Sequence, residues 1–167
     1  MVTLKRLVGP SAHSVNGNVI KTLLKRSWQT AYEVAKRIFR QANGGPFFET
    51  TKIEVLAPPV GPEDDGKMYG ESGSAAILIA LYALASGLFV KKNIAVSAVI
   101  RKNKQIGKVG GLRYKVMAAA KARKSTVVLS TENKTEFMKF EKKVKKNVKG
   151  ECVRDAAALI RAMLEER

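Results

Sequence analysis

Two serines and one lysine in this sequence have the surroundings that nucleophilic chemistry needs. The stretch GESGSAA at residues 70–76 sets Ser72 and Ser74 directly before an almost unbroken apolar run. A helix N-terminus presents free N–H groups and the positive end of a dipole. A serine there can attack a carbonyl that small neighbours allow to approach, and nearby N–H groups hold the oxyanion that forms. The commoner role of such a serine is to cap the helix, and the stretch alone leaves both roles open. A nucleophilic serine also needs a base. His13 is the only histidine, in a loop-like segment near the N-terminus, and is a poor triad member. Carboxylates and lysines remain, and a lysine serves only where desolvation keeps it neutral. Lys115, in GGLRYKVMAAA at residues 110–120, falls in the first turn of an apolar helix after a tight glycine turn. From there it can point back into the core. The alternative is an ordinary exposed lysine on an amphipathic helix.

Other chemistries fit less well. Residues 61–68, GPEDDGKM, nearly spell a phosphate-binding loop. Met68 stands where Ser or Thr should hold magnesium, and Glu63, Asp64 and Asp65 would repel phosphate. One histidine and one cysteine, Cys152, make no usual zinc site and no internal disulfide, so neither metal nor cofactor is expected. A single cysteine suits a reducing compartment, and the expected location is cytoplasmic, in a host cell if the chain is viral. The run from Ala75 to Val90 is shorter than the roughly 20 residues of a membrane span and is broken at Ser86 and Gly87, so it reads as a core helix. The formal charge is +17, from 31 Lys and Arg against 14 Asp and Glu. Arg101 to Lys104 and Lys139 to Lys149 carry much of it. Such a surface attracts polyanions, and nucleic acid is a partner to weigh, although no RNA-recognition, zinc-finger or basic-zipper motif is present.

Residues with these roles must be held by elements the pattern also implies. A strand is expected over Val2 to Val8. A long helix runs from Val19 to Gln41, capped by Asn18, with Ile20, Leu23, Leu24, Ala31, Tyr32, Ala35, Ile38 and Phe39 on one side. Lys52 to Ala57 alternates as a strand. Ser74 to Ser86 forms a helix closed by Gly87. Strands follow over Asn93 to Ile100 and Gln105 to Val109, then a helix over Leu112 to Lys124. A strand over Thr126 to Leu129, a helix over Thr131 to Phe140, a strand over Val148 to Val153 and a helix over Arg154 to Glu165 complete the chain. Interspersed strands and helices in 167 residues, with no linker or repeat, imply one α/β or α+β domain over 1–167.

GESGSAA, with the lysine of GGLRYK 41 residues after Ser74, resembles the proteolytic domain of the Lon protease family. That family uses a Ser-Lys dyad, its serine in a small-residue turn and its lysine ending a Gly-Gly-apolar-x-x-Lys motif. NIAVSAV at residues 93–99 resembles the family strand that sets a threonine beside the lysine, with Ser97 in that place. The resemblance follows the order of elements over nearly the whole chain. It implies an α+β fold like the second domain of ribosomal protein S5, and a serine endopeptidase working through an acyl-enzyme. Ser74 is taken as the nucleophile, because it matches the family position and directly precedes the helix. Ser72 is then a decoy. Lys115 is the base and Ser97 its orienting partner. N–H groups around Gly73 and Ser74, beside Glu71, form the oxyanion hole, and the substrate strand pairs along Lys52 to Pro59, at Val55 and Ala57. The family's Asp-Gly-Pro-Ser-Ala-Gly is here ESGSAA at 71–76, without the proline. The chain carries no ATPase domain, as in the polyprotein-processing proteases of birnaviruses, which it also resembles. Expected partners are a polypeptide, a second copy of the chain or a separate ATPase, but no membrane. The competing reading is an inactive module of the same fold that binds nucleic acid through its basic surface.

Overall fold

The computed structural model describes residues 3–8, 22–56, 71–140 and 147–166. Val2, His13, the Asn18 cap, Ala57, the near-phosphate loop at 61–68 and much of the basic run at 139–149 lie outside the described residues, or partly so.

The centre is a three-stranded parallel sheet. Its strands are β4 (Ile94–Ser97), β7 (Thr126–Ser130) and β8 (Lys149–Val153), in the order β4-β7-β8. Ser97 stands opposite Leu129, and Leu129 opposite Cys152. The β-branched residues of TVVLS suit a strand buried on both faces. Alternation then divides the core. Val128 and Val153 face one side, where α1 (Thr22–Asn43), α3 (Ser74–Ser86) and α6 (Ala156–Met163) pack. Val127 and Leu129 face the other, against α4 (Leu112–Lys121) and α5 (Lys134–Met138). The protein is thus a mixed α+β fold, a helical layer on each face of a sheet, as the interspersed pattern implies.

Smaller antiparallel pairs surround this frame. β1 (Thr3–Val8) pairs with β2 (Thr51–Leu56), β3 (Phe89–Val90) with β9 (Leu164–Glu165), and β5 (Val99–Ile100) with β6 (Ile106–Gly107). The aromatic residues of α1 and of the one-turn helix α2 (Phe47–Thr50) meet edge to face, Tyr32 on Phe48 and Phe39 on Phe47, Phe48 and Tyr82. The apolar run after Ser74 is a core helix: Ala75, Ile77, Leu78, Ile79 and Leu81 are buried. Among the described residues, no helix is long and apolar enough to cross a membrane.

Three expectations change in detail. The strand expected over Asn93 to Ile100 breaks at Ala98, whose carbonyl accepts the Ala75 N–H at 3.4 Å, and beyond it the chain leaves β7 to pair with β6. The last helix starts at Ala156 rather than Arg154, because the Asp155 carboxylate caps it by accepting the Ala158 N–H at 2.8 Å. It ends at Met163, and the two residues after it extend to pair with β3. The C-cap expected at Gly87 is present: at φ 73 its N–H bonds the Ala83 carbonyl, closing the helix in a conformation that suits glycine.

Candidate functional site

The serine turn is a single 3-10 turn, Glu71–Gly73, that runs directly into α3. Such a turn has three residues per revolution, so residues three apart eclipse. Ser74 therefore stacks under Glu71, and its Oγ donates to the Glu71 carbonyl at 2.7 Å. The same Oγ accepts the Ile100 N–H at 2.9 Å, and the side chain is 1% exposed. Both capacities of this hydroxyl that matter to a nucleophile are thus occupied by backbone. Ser74 faces α1 across the sheet edge, with Ala75, Ala98 and Ile100 in the α1/α3 part of the core.

Lys115 lies on the opposite side. On α4, Leu112, Val116 and Ala119 are buried against β7, and Lys115 is half-buried one turn after Leu112. Gly111, at φ 60 where side chains are strained, makes the turn that starts this helix. Burial pushes the Lys115 amine down from its ordinary 10.5, towards the neutral form that a base needs. Ser97 shares this side. Ala95 on the same strand packs towards α4, Ile94 and Val96 pack towards α3, and two-residue alternation turns Ser97 with Ala95. Its partner in register, Leu129, is buried in the α4 part of the core.

Of the expected residues, then, Lys115 and Ser97 lie towards the α4 part of the core, and Ser74 is held at the start of α3 by the Glu71 carbonyl and the Ile100 N–H. Among the described residues no hydrogen bond joins Ser74 to Lys115. Ser72 projects about 120° around the turn from Glu71 and Ser74. It is half-buried, and among the described residues its hydroxyl, the Ser97 hydroxyl and the Lys115 amine have no hydrogen bond or ion pair. Gly73 has open space where a side chain would be, and Glu71 is exposed at the rim. Val55 sits on β2 opposite Leu4, in a strand pair apart from the central sheet.

Sequence reasoning missed Asn133. It is buried, its Oδ1 accepts the Val109 N–H at 2.9 Å and its Nδ2 donates to the Val109 carbonyl at 3.0 Å. Ser130 adds a bond to the Ile106 carbonyl at 2.8 Å. Together they clamp the segment that leads through Gly110 and Gly111 into α4, and so set where Lys115 stands. An asparagine three residues after a buried serine at a strand end is the local signal, but its partner is 24 residues away. Among the described residues no group of three or more His, Cys, Asp or Glu is placed to hold a metal.

A family model described as the Lon protease (S16) C-terminal proteolytic domain matches residues 3–166. A mitochondrial Lon protease homolog of Neurospora crassa is 28% identical over 141 residues, 84% of this chain and 12% of that protein. The human mitochondrial Lon protease homolog is 31% identical over 116 residues, 69% of this chain and 12% of the relative. Lon protease homolog 1, mitochondrial, of Arabidopsis thaliana is 25% identical over 134 residues, 80% of this chain and 14% of the relative. The chain thus spans about an eighth of these proteins' length. All three are named mitochondrial, which lends no support to a cytoplasmic location or to viral polyprotein processing. A match over nearly the whole chain, on a sheet with the expected order of elements, makes this chain a member of the Lon protease C-terminal proteolytic domain family.

Proposed function

We propose that the protein is a serine endopeptidase of Lon type that works by a Ser-Lys dyad, with Ser72 rather than Ser74 as its nucleophile. The observation that carries this assignment is the contrast between the two hydroxyls. Ser74 Oγ is buried and bonded on both sides to backbone, whereas Ser72 Oγ has no hydrogen bond among the described residues, on a turn with an open Gly73 beside it. Neutral Lys115 takes the Ser72 proton as Oγ attacks a peptide carbonyl. N–H groups of the turn, around Gly73, hold the oxyanion. Ser97 orients the Lys115 amine. Lys115 then returns the proton to the leaving amine, and water hydrolyses the acyl-enzyme. Ser74 is the strap that ties the turn to β5.

The test is cleavage of casein without ATP by the wild type and by Ser72→Ala, Ser74→Ala and Lys115→Ala. Ser72→Ala and Lys115→Ala are expected to lose about 10³-fold or more in kcat. Labelling with a fluorophosphonate should modify Ser72. Activity that survives Ser72→Ala, or label on Ser74, would overturn the assignment. Cleavage that appears only when a Lon-type ATPase and ATP are added would mean that this domain works with an ATPase partner.

A further inference from the structure

A charged groove adjoins the serine turn. Between α1 and the β5–β6 hairpin lies a cavity of about 640 Å³, within the range of ligand sites. α1 turns Arg26, Thr30, Glu33 and Arg37 to it, spaced four, three and four residues apart along one face. Ile100 and Lys102 form the facing wall, and Ser74 lies between. A second hollow of about 400 Å³ shares Thr30, Glu71, Ile100 and Lys102 with the first and continues over Lys108. Among the described residues Arg26, Lys102 and Lys108 have no ion pair, and the Arg37 guanidinium donates only to the Lys102 carbonyl, at 3.4 Å. Arg101 differs: it is held by Glu132 at 2.8 Å.

We propose that this groove binds an extended acidic segment of a polypeptide substrate, its carboxylates on Arg26, Arg37 and Lys102. The proposal rests on the peptidase reading, since the groove borders the turn that carries Ser72. From Arg26 to Arg37 the helix rises about 16 Å, the reach of about five extended residues. Glu33 and Glu71 mark the choice of a peptide over nucleic acid. They stand at separate points along the groove, and a nucleic acid brings a charge at every phosphate to meet them. A peptide can set neutral or basic residues there and carboxylates elsewhere.

The test is fluorescence anisotropy with a short labelled Glu-Ala repeat peptide, its Gln-Ala counterpart and a short oligothymidine, at about 0.1 M salt. Binding is read without turnover, so the result stands apart from the fate of Ser72→Ala. The Glu peptide is expected to bind about tenfold tighter than the Gln peptide, and Arg37→Glu with Lys102→Glu to lose about that factor. Arg26→Gln with Lys102→Gln should lose part of it. Lys92→Glu with Lys149→Glu, which changes net charge equally on surfaces away from the groove, should stay within about twofold of wild type. Equal losses in the two charge-reversed proteins would overturn the proposal, as would absent binding or equal affinity for the Glu and Gln peptides. Tighter, groove-dependent binding of oligothymidine would overturn it in favour of nucleic acid.

Discussion

Two serines two positions apart have different surroundings here: Ser74 Oγ is bonded on both sides to backbone, and among the described residues Ser72 Oγ has no hydrogen bond. Removing the Ser74 hydroxyl leaves the Ile100 N–H and the Glu71 carbonyl without it in a dry environment. Ser74→Ala should therefore lower stability by about 1–3 kcal/mol in urea titration, whereas Ser72→Ala should change it by less than about 0.5 kcal/mol. The reverse order would show that Ser72 is the structural serine. Lys115 adds a pH signature. Its folded-state pKa lies below its ordinary 10.5, and only the neutral amine is a base. The pH profile of kcat/KM should rise through a midpoint below 10.5 and then level off. Between the folded and ordinary values the unfolded chain binds the extra proton. Stability from this group is therefore complete above the ordinary value and falls as pH drops through the window. Activity that is flat across this range would remove Lys115 as the base.

At the scale of elements, the site is set by how the sheet is held, not by α3 and α4 alone. β5 departs from β7 at Ala98, and β6, returning to pair with it, leads into the segment before α4. Asn133 and Ser130 bind that returning segment to the end of β7. Asn133→Ala leaves both polar groups of Val109 unpaired in a buried position and should cost about 2–3 kcal/mol. It should also lower kcat in protein that remains folded, because α4 loses its anchor. A fall in stability without a fall in kcat would mean that the clamp supports the fold and not the position of Lys115. The same elements show what a pattern can and does reveal. Period and glycine punctuation locate α3, α4 and Gly87, while the break at Ala98 depends on a hydrogen bond to Ala75, which no local signal marks.

At the scale of the whole molecule, the described residues form two buried clusters, one on each face of the same sheet. They share β4, β7 and β8, so neither loses its packing without exposing the other. Unfolding in urea followed by the fluorescence of Trp28, the only tryptophan, should coincide with unfolding followed by far-ultraviolet circular dichroism. Trp28 reports the α1 side, and the dichroism reports both. Separate midpoints would mean two units in place of the single domain expected over 1–167.

Composition, helical period and turn residues suffice for a mixed fold of interspersed strands and helices, the buried helix after Ser74, and the glycine turn before Lys115. These depend on neighbours within a few residues, so they are legible along the chain. The resemblance to Lon carried by GESGSAA and GGLRYK is legible for the same reason. Which serine is free is not. That depends on whether a hydroxyl finds the Ile100 N–H, 26 residues away. Lys115 likewise has its helix from the sequence, but the burial that pushes its amine down comes only with the folded chain. Ser72 and Ser74 are the same side chain in nearly the same local sequence, and only the folded backbone brings the Glu71 carbonyl and the Ile100 N–H to Ser74.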